Sequence, residues 1–126
     1  MLYAILCYHD EDLVGSWSKV EDDAVLAKRA LVTDKLAAYG KLGPAARLMP
    51  TTAAVTVRSG NEPLVLDGPF AETKEQLLGF YVVDCENLQE AIEVARQMGR
   101  RESGSFEIRP LRLFRPGTAM PEMAAS

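Results

Sequence analysis

The chain has one histidine and two cysteines among 126 residues. A structural zinc site takes about four nitrogen, sulfur or carboxylate ligands at characteristic spacings. Cys7 and Cys85 share no such spacing, so no metal or cofactor is expected. Both cysteines fall in apolar stretches and read as buried thiols acting as small hydrophobes. No Lys or Arg stands beside Cys7 in sequence to lower its pKa. A surplus of positive charge is also missing. The formal net charge is −4, which argues against a nucleic-acid or anionic-membrane surface. Arg100-Arg101, followed by Glu102, is too short a basic stretch to change that. No apolar run reaches the roughly 18 residues of a membrane span, and Met1-Leu2-Tyr3 enters a strand with no basic leader. The expected location is the cytoplasm. There is no Gly-rich phosphate loop, nucleophile elbow or dinucleotide fingerprint. Acid/base chemistry on a small molecule, or binding without chemistry, is left.

What is present is an ordinary globular balance, 48% hydrophobic and 25% charged. The length suits one domain that buries a core without staples. Residues 1–115 are assigned to that domain. Residues 116–126 form a tail of Pro, Ala and Met without a period, whose composition alone predicts disorder.

Residues 2–9 read as a strand that is apolar on both alternation sets. Leu2, Ala4, Leu6 and Tyr8 share one face, Tyr3, Ile5, Cys7 and His9 the other. Residues 10–19 read as a loop carrying the only tryptophan, Trp17. A helix is predicted over 20–39, with acids at its N-terminus, a Val25, Val32, Leu36, Tyr39 stripe, and Gly40 as its C′ residue. Arg29 falls on that stripe, either snorkelling or aimed at something. Strands over 45–49, 53–58 and 63–66 form a meander. A loop runs to about Leu78 with one helical turn at 73–77, and a fifth doubly apolar strand covers 79–85. Asn87 caps a second helix with Glu90 at N3. Leu88, Ala91, Ile92, Ala95 and Met98 follow helical spacing, and Gly99 ends it. The last strand, 105–111, puts Phe106 and Ile108 on one face, Glu107 and Arg109 on the other.

The order β-α-β-β-β-β-α-β is a ferredoxin-like α+β pattern with an antiparallel sheet, an extra strand and an inserted loop. Two helices cover one face of such a sheet, yet two strands want burial on both. A homodimer with sheets facing each other resolves this.

His9 is the one side chain whose unperturbed pKa lies near neutrality. Adjacent strand residues point to opposite faces, so Asp10 is not its partner by sequence contact. Asp67, at another strand end, is the expected partner in an acid/base pair. The alternatives stay open: a strand-end histidine bonded to backbone, and an Asp closing its own turn before Gly68. Phe70 either lines a pocket or plugs the sheet edge. Glu72, Lys74 and Glu75 are either a solvated run or part of a binding loop. Lys74 and Glu75 are taken here as ligand-binding candidates, because a loop this long in a compact domain is unusual without a binding role. Arg109 is aimed at a ligand carboxylate or phosphate, or at a partner-chain acid. Arg47 has the same choice.

The longest distinctive block is Asp67-Gly68-Pro69-Phe70-Ala71-Glu72-Thr73-Lys74-Glu75-Gln76-Leu77. Asp-Gly reverses the chain because Gly68 can take positive φ, and Pro69 fixes its own. With Tyr8-His9-Asp10-Glu11, Thr56-Val57-Arg58, Gly79-Phe80-Tyr81 and Glu107-Ile108-Arg109-Pro110, it resembles the DGPF-motif branch of the YCII-related family over residues 1–111. The resemblance implies a dimeric α/β barrel. The wider family includes proteins with a histidine on the first helix and an aspartate near that helix's end, proposed as a catalytic pair, and a relative that eliminates chloride from a ring. Here Lys28 or Arg29 falls near the first place and Ala37-Ala38-Tyr39 at the second, so the pair is not carried over. Genes of DGPF members often neighbour extracytoplasmic-function sigma factors, which implies a regulatory alternative. The leading expectation is a small-molecule-binding homodimer with weak lyase- or hydrolase-like acid/base chemistry.

Overall fold

The computed structural model describes residues 1–124. Strand β1 (Leu2–His9) is followed by a short helix α1 (Glu11–Gly15) and the long helix α2 (Lys19–Ala38). Strand β2 (Leu42–Arg47) leads through a 3-10 turn at Thr51–Ala53 into β3 (Val55–Arg58) and β4 (Leu64–Asp67). Strand β5 (Gln76–Asp84), helix α3 (Leu88–Met98) and strand β6 (Ser105–Pro110) complete the chain.

The main sheet is antiparallel with order β2-β5-β1-β6. This is the ferredoxin-like arrangement, with β3 and β4 inserted between its second and third strands. The predicted meander is corrected here. β3 and β4 pair only with each other, as a separate two-stranded sheet. Val55, Val57, Leu64, Val65 and Leu66 on them are all exposed, so no buried face ties them to the main sheet.

Register divides the main sheet's two faces. Tyr3, Ile5, Cys7 and His9 are buried, and Val83 and Tyr81 stand opposite Tyr3 and Ile5. This face carries the two longer helices, α2 and α3. Tyr3, Ile5, Leu36, Val83, Ala91, Val94, Ala95 and Met98 form one cluster, with Phe106 and Ile108 packed against it. Leu2, Ala4, Leu6 and Tyr8 lie on the opposite face, half-buried, with Phe80 opposite Leu6 and Arg109 opposite Ala4.

Helix ends follow the sequence signals closely. Ser18 caps α2 in a full capping box with Glu21. At the other end Gly40 takes φ +67, Lys41 N–H bonds the Leu36 carbonyl and Gly40 N–H that of Ala37. That is a Schellman closure. Asn87 accepts from Glu90 N–H to open α3. Two predicted features differ. The expected loop 10–19 contains α1, because Asp10 accepts from the backbone of Asp12 and Leu13 and two acids fill the first turn. The helical turn expected at 73–77 is absent: β5 begins at Gln76, opposite His9.

α2 packs unevenly. Leu36 is its one buried residue, with Val32 against the core beside it. Its N-terminal half stands over Gly79 and Ala45, which are too small to fill the gap, and a cavity results.

Candidate active-site cavity

The cavity has a volume of about 230 Å³ and lies between the N-terminal half of α2, α1 and the helix-side face of the sheet. Its apolar wall includes Val14, Trp17, Val25, Leu26 and Phe106. Its polar wall draws on β1, α2, β2 and the loop from α3 to β6.

His9, the last residue of β1, is 7% exposed and lines the cavity. Its Nε2 is 2.7 Å from Ser103 Oγ. Trp17 meets the imidazole edge-on, with ring centroids 5.9 Å apart at 83°. Nδ1 is buried with no hydrogen-bond partner, alone among the described buried side-chain polar atoms. Behind the ring sits Gly104. A Cβ there would lie 2.6 Å from the Tyr8 carbonyl and 2.7 Å from His9 Cδ2, at φ +96. Only glycine fits that approach.

The loop from α3 to β6 supplies the next two groups. Arg101 takes φ 64 and Gly104 φ 96, so left-handed residues bracket Glu102-Ser103. A non-glycine residue in that region stores about 1 kcal/mol or more of strain. The bend turns Ser103 toward His9 and Glu102 toward α2. Arg29 Nη2 binds Glu102 Oε1 at 2.8 Å, and Lys28 Nζ binds Oε2 at 2.8 Å. Burial works to raise the Glu102 pKa, but Arg29 and Lys28 outweigh it and hold the carboxyl below its usual range. Burial likewise opposes the Arg29 charge, and Glu102 overcomes it, leaving the guanidinium firmly protonated. Arg29 also lies 5.2 Å from the Phe106 ring centroid.

On the far wall Arg47 forks onto Asp22, with nitrogen–oxygen distances of 3.0 and 2.7 Å. That fork holds the Asp22 pKa down. Cys7 also lines the cavity, and burial pushes its thiol pKa up. The lining therefore holds the Arg47–Asp22 pair, the Arg29 guanidinium that Glu102 holds from outside the lining, the buried His9 bonded to an exposed Ser103, and a neutral thiol. Among the described residues no His, Cys and acid cluster could hold a metal ion, and no helix is long and apolar enough to cross a membrane.

The residues singled out from sequence are distributed over different surfaces. His9 faces the cavity, and its hydrogen-bonding side chain is Ser103 rather than Asp67. Asp67 ends β4, opposite Val55 on the separate hairpin, and is exposed. Phe70 is 79% exposed, and Lys74 is exposed beside it in the loop. Glu75 accepts a bond of 2.8 Å from Ser105 Oγ. Arg109 sits on the opposite sheet face from His9 and pairs with Glu107 on its own strand at 3.0 Å. Within one chain His9 is thus separated by the sheet from Arg109. A second hollow lies beside the DGPF loop, between Glu11, Thr51, Pro69 and Glu72, and Glu11 spans it by accepting from Thr51.

Trp17, Glu102 and Ser103 were not legible as site residues. One signal did point toward Glu102. A charged residue on an apolar helix stripe, Arg29, requires a countercharge when buried. Nothing in the sequence says which acid supplies it.

Comparison with known proteins agrees with the fold. The model of the YCII-related domain matches residues 1–115. An uncharacterized protein of Rhizobium meliloti (strain 1021) is 55% identical over 120 residues, covering 93% of this chain and 97% of the relative. A family match over nearly the whole described chain, and a relative of the same length this similar, place it plainly: the chain belongs to the YCII-related family.

Proposed function

We propose that this chain binds a small molecule in the cavity beneath α2, and that His9 and Ser103 form the group there able to exchange a proton with it. The observation that carries the reading is a histidine more than nine-tenths buried, bonded to a serine, in the wall of a mostly apolar cavity of about 230 Å³. Such a site suits lyase- or hydrolase-like acid/base chemistry. The long block from Asp67 to Leu77 supports the DGPF branch of the family.

A homodimer belongs to the same reading. Leu2, Leu6, Tyr8 and Phe80 line a sheet face with no helix on it, which supports face-to-face association into a dimeric α/β barrel. In a barrel of that kind Arg109, on this same face, would be enclosed.

The test is a fragment screen read by thermal stabilisation, run on the natural chain and on Ala45→Phe, which fills the cavity from β2. Hits that stabilise the natural chain and lose their effect in the variant support the reading. Hits that stabilise both equally bind elsewhere and overturn it. The variant must first show unchanged circular dichroism; Ala45→Leu is the milder substitute.

A further inference from the structure

The two nitrogens of the chain's one imidazole stand in different surroundings. Nε2 is 2.7 Å from Ser103 Oγ, and Ser103 is exposed on the loop before β6. Gly104 backs the ring at Cγ and Cδ2. Nδ1, in the same cavity wall, is shut from solvent and has no partner. The charged side chains of the wall are matched within the chain: Arg47 forks onto Asp22, and Arg29 gives Nε and Nη2 to Glu102.

A neutral imidazole carries its proton on one nitrogen and a lone pair on the other. A buried N–H without an acceptor is rarer in folded proteins than a buried acceptor left unfilled. With the proton on Nδ1, that N–H has nothing to bond. With the proton on Nε2, it is donated to Ser103 Oγ, and Nδ1 keeps a lone pair. The serine hydroxyl, being exposed, is then free to give its own proton to water.

We infer that His9 is a base acting at Nδ1, with Ser103 the positioning residue that keeps the resting proton on Nε2. A ligand in the cavity gives its proton to the Nδ1 lone pair, and the electron pair of the broken bond stays on the ligand. The imidazolium so formed donates from both nitrogens. Its Nε2–H bond to Ser103 strengthens because the donor is now charged. At rest, therefore, the atom that His9 offers a ligand is a hydrogen-bond acceptor. The inference rests on the cavity reading proposed above.

With a single histidine in the chain, nitrogen NMR of the full protein carrying isotope-labelled histidine reads the two ring atoms without ambiguity. At a pH where an ordinary imidazole is neutral, Nδ1 is expected at the shift of a bare nitrogen and Nε2 at that of an N–H. The reverse assignment overturns the inference. In Ser103→Ala the share of the Nδ1–H form should rise roughly fivefold, the worth of one net hydrogen bond, and Ser103→Thr should restore it. An unmoved share in the alanine variant overturns the inference. The second arm compares two rings of one size: pyrrole, which donates through its N–H, and furan, which can only accept. Trp17 is the one tryptophan and lines the cavity, so its emission reports entry. Pyrrole is expected to bind about tenfold more tightly than furan. Equal binding, or tighter binding of furan, overturns the inference and leaves the cavity reading intact. In His9→Phe the preference should vanish; one that survives belongs to another wall group and overturns the inference. If that variant fails to fold, the proton position measured on the natural chain decides. No response of Trp17 to either ring overturns the cavity reading, and the inference with it.

Discussion

At the scale of single residues, the site depends on two that bear no chemistry. Gly104 lets the β6 entry lie against His9, and any Cβ there meets backbone and ring below 3 Å. Gly104→Ala is expected to cost about 2–4 kcal/mol, from clash and left-handed strain together, and to displace His9 from Ser103. Urea unfolding and the His9 imidazole NMR signals measure the two effects. Glu102 is the other. Its carboxyl has a folded pKa held below the unfolded value. The sign follows: its stabilisation is present above the unfolded pKa of about 4.3 and is lost as pH falls through the folded value. Glu102→Gln removes that titration and leaves Arg29 without its main partner. A cost of about 2–3 kcal/mol is expected at neutral pH, below the range for a fully buried pair because Arg29 keeps some exposure. The melting temperature of the natural chain should fall more steeply below pH ~4 than that of the variant. Parallel slopes would mean that Glu102 contributes nothing to acid sensitivity.

At the scale of elements, caps and periodicity were legible because their determinants are local. Asn87 with Glu90, and Gly40 after α2, each specify a backbone bond within a few residues; the Ser18–Glu21 box is as local, yet was missed because residues 10–19 read as loop. Gly40→Ala, at φ +67 with open space around it, should cost about 1 kcal/mol by strain alone. Thermal unfolding of that variant is the check, and an unchanged midpoint would mean the closure tolerates a side chain. α1 escaped because a five-residue helix leaves no period to read, only the Asp10 cap. The β3–β4 hairpin reads in sequence like any other pair of apolar strands. Whether it joins the main sheet is set by non-local pairing that β2 has already satisfied along β5. The site was hidden for the same reason. His9 and Ser103 are far apart in the chain and meet only because β6 lies beside β1. Phe70 was conspicuous by its motif, yet is exposed. Phe70→Ala should therefore shift stability by no more than about 0.5 kcal/mol, far from the roughly 3–5 kcal/mol of a core phenylalanine.

At the scale of the whole molecule, the unevenness of coverage is the dominant fact. Helices α2 and α3 pack on one face, where Ile5 and Val83 are fully enclosed. Leu6 lies on the other face between Phe80 and Glu107 and is only half-buried. The hairpin adds Val55, Val57 and Val65 on one of its own faces, all more than half exposed, although an isolated two-stranded hairpin is marginal in water. A sheet face and a hairpin, both apolar and both uncovered, are stabilised together if a second copy supplies the missing layer. Sedimentation is expected to show twice the chain mass of 13.8 kDa at micromolar concentration. Leu6→Lys should give a folded monomer, because a lysine at a half-buried strand position can carry its ammonium to water in the single chain but not between two facing sheets. A natural chain that sediments as a monomer would leave the face and hairpin to a different protein. The sigma factor implied by the DGPF resemblance would then be the partner to test. A Leu6→Lys variant that still dimerises would instead place the contact on the hairpin alone, and Val57→Lys would be the substitution that separates the copies.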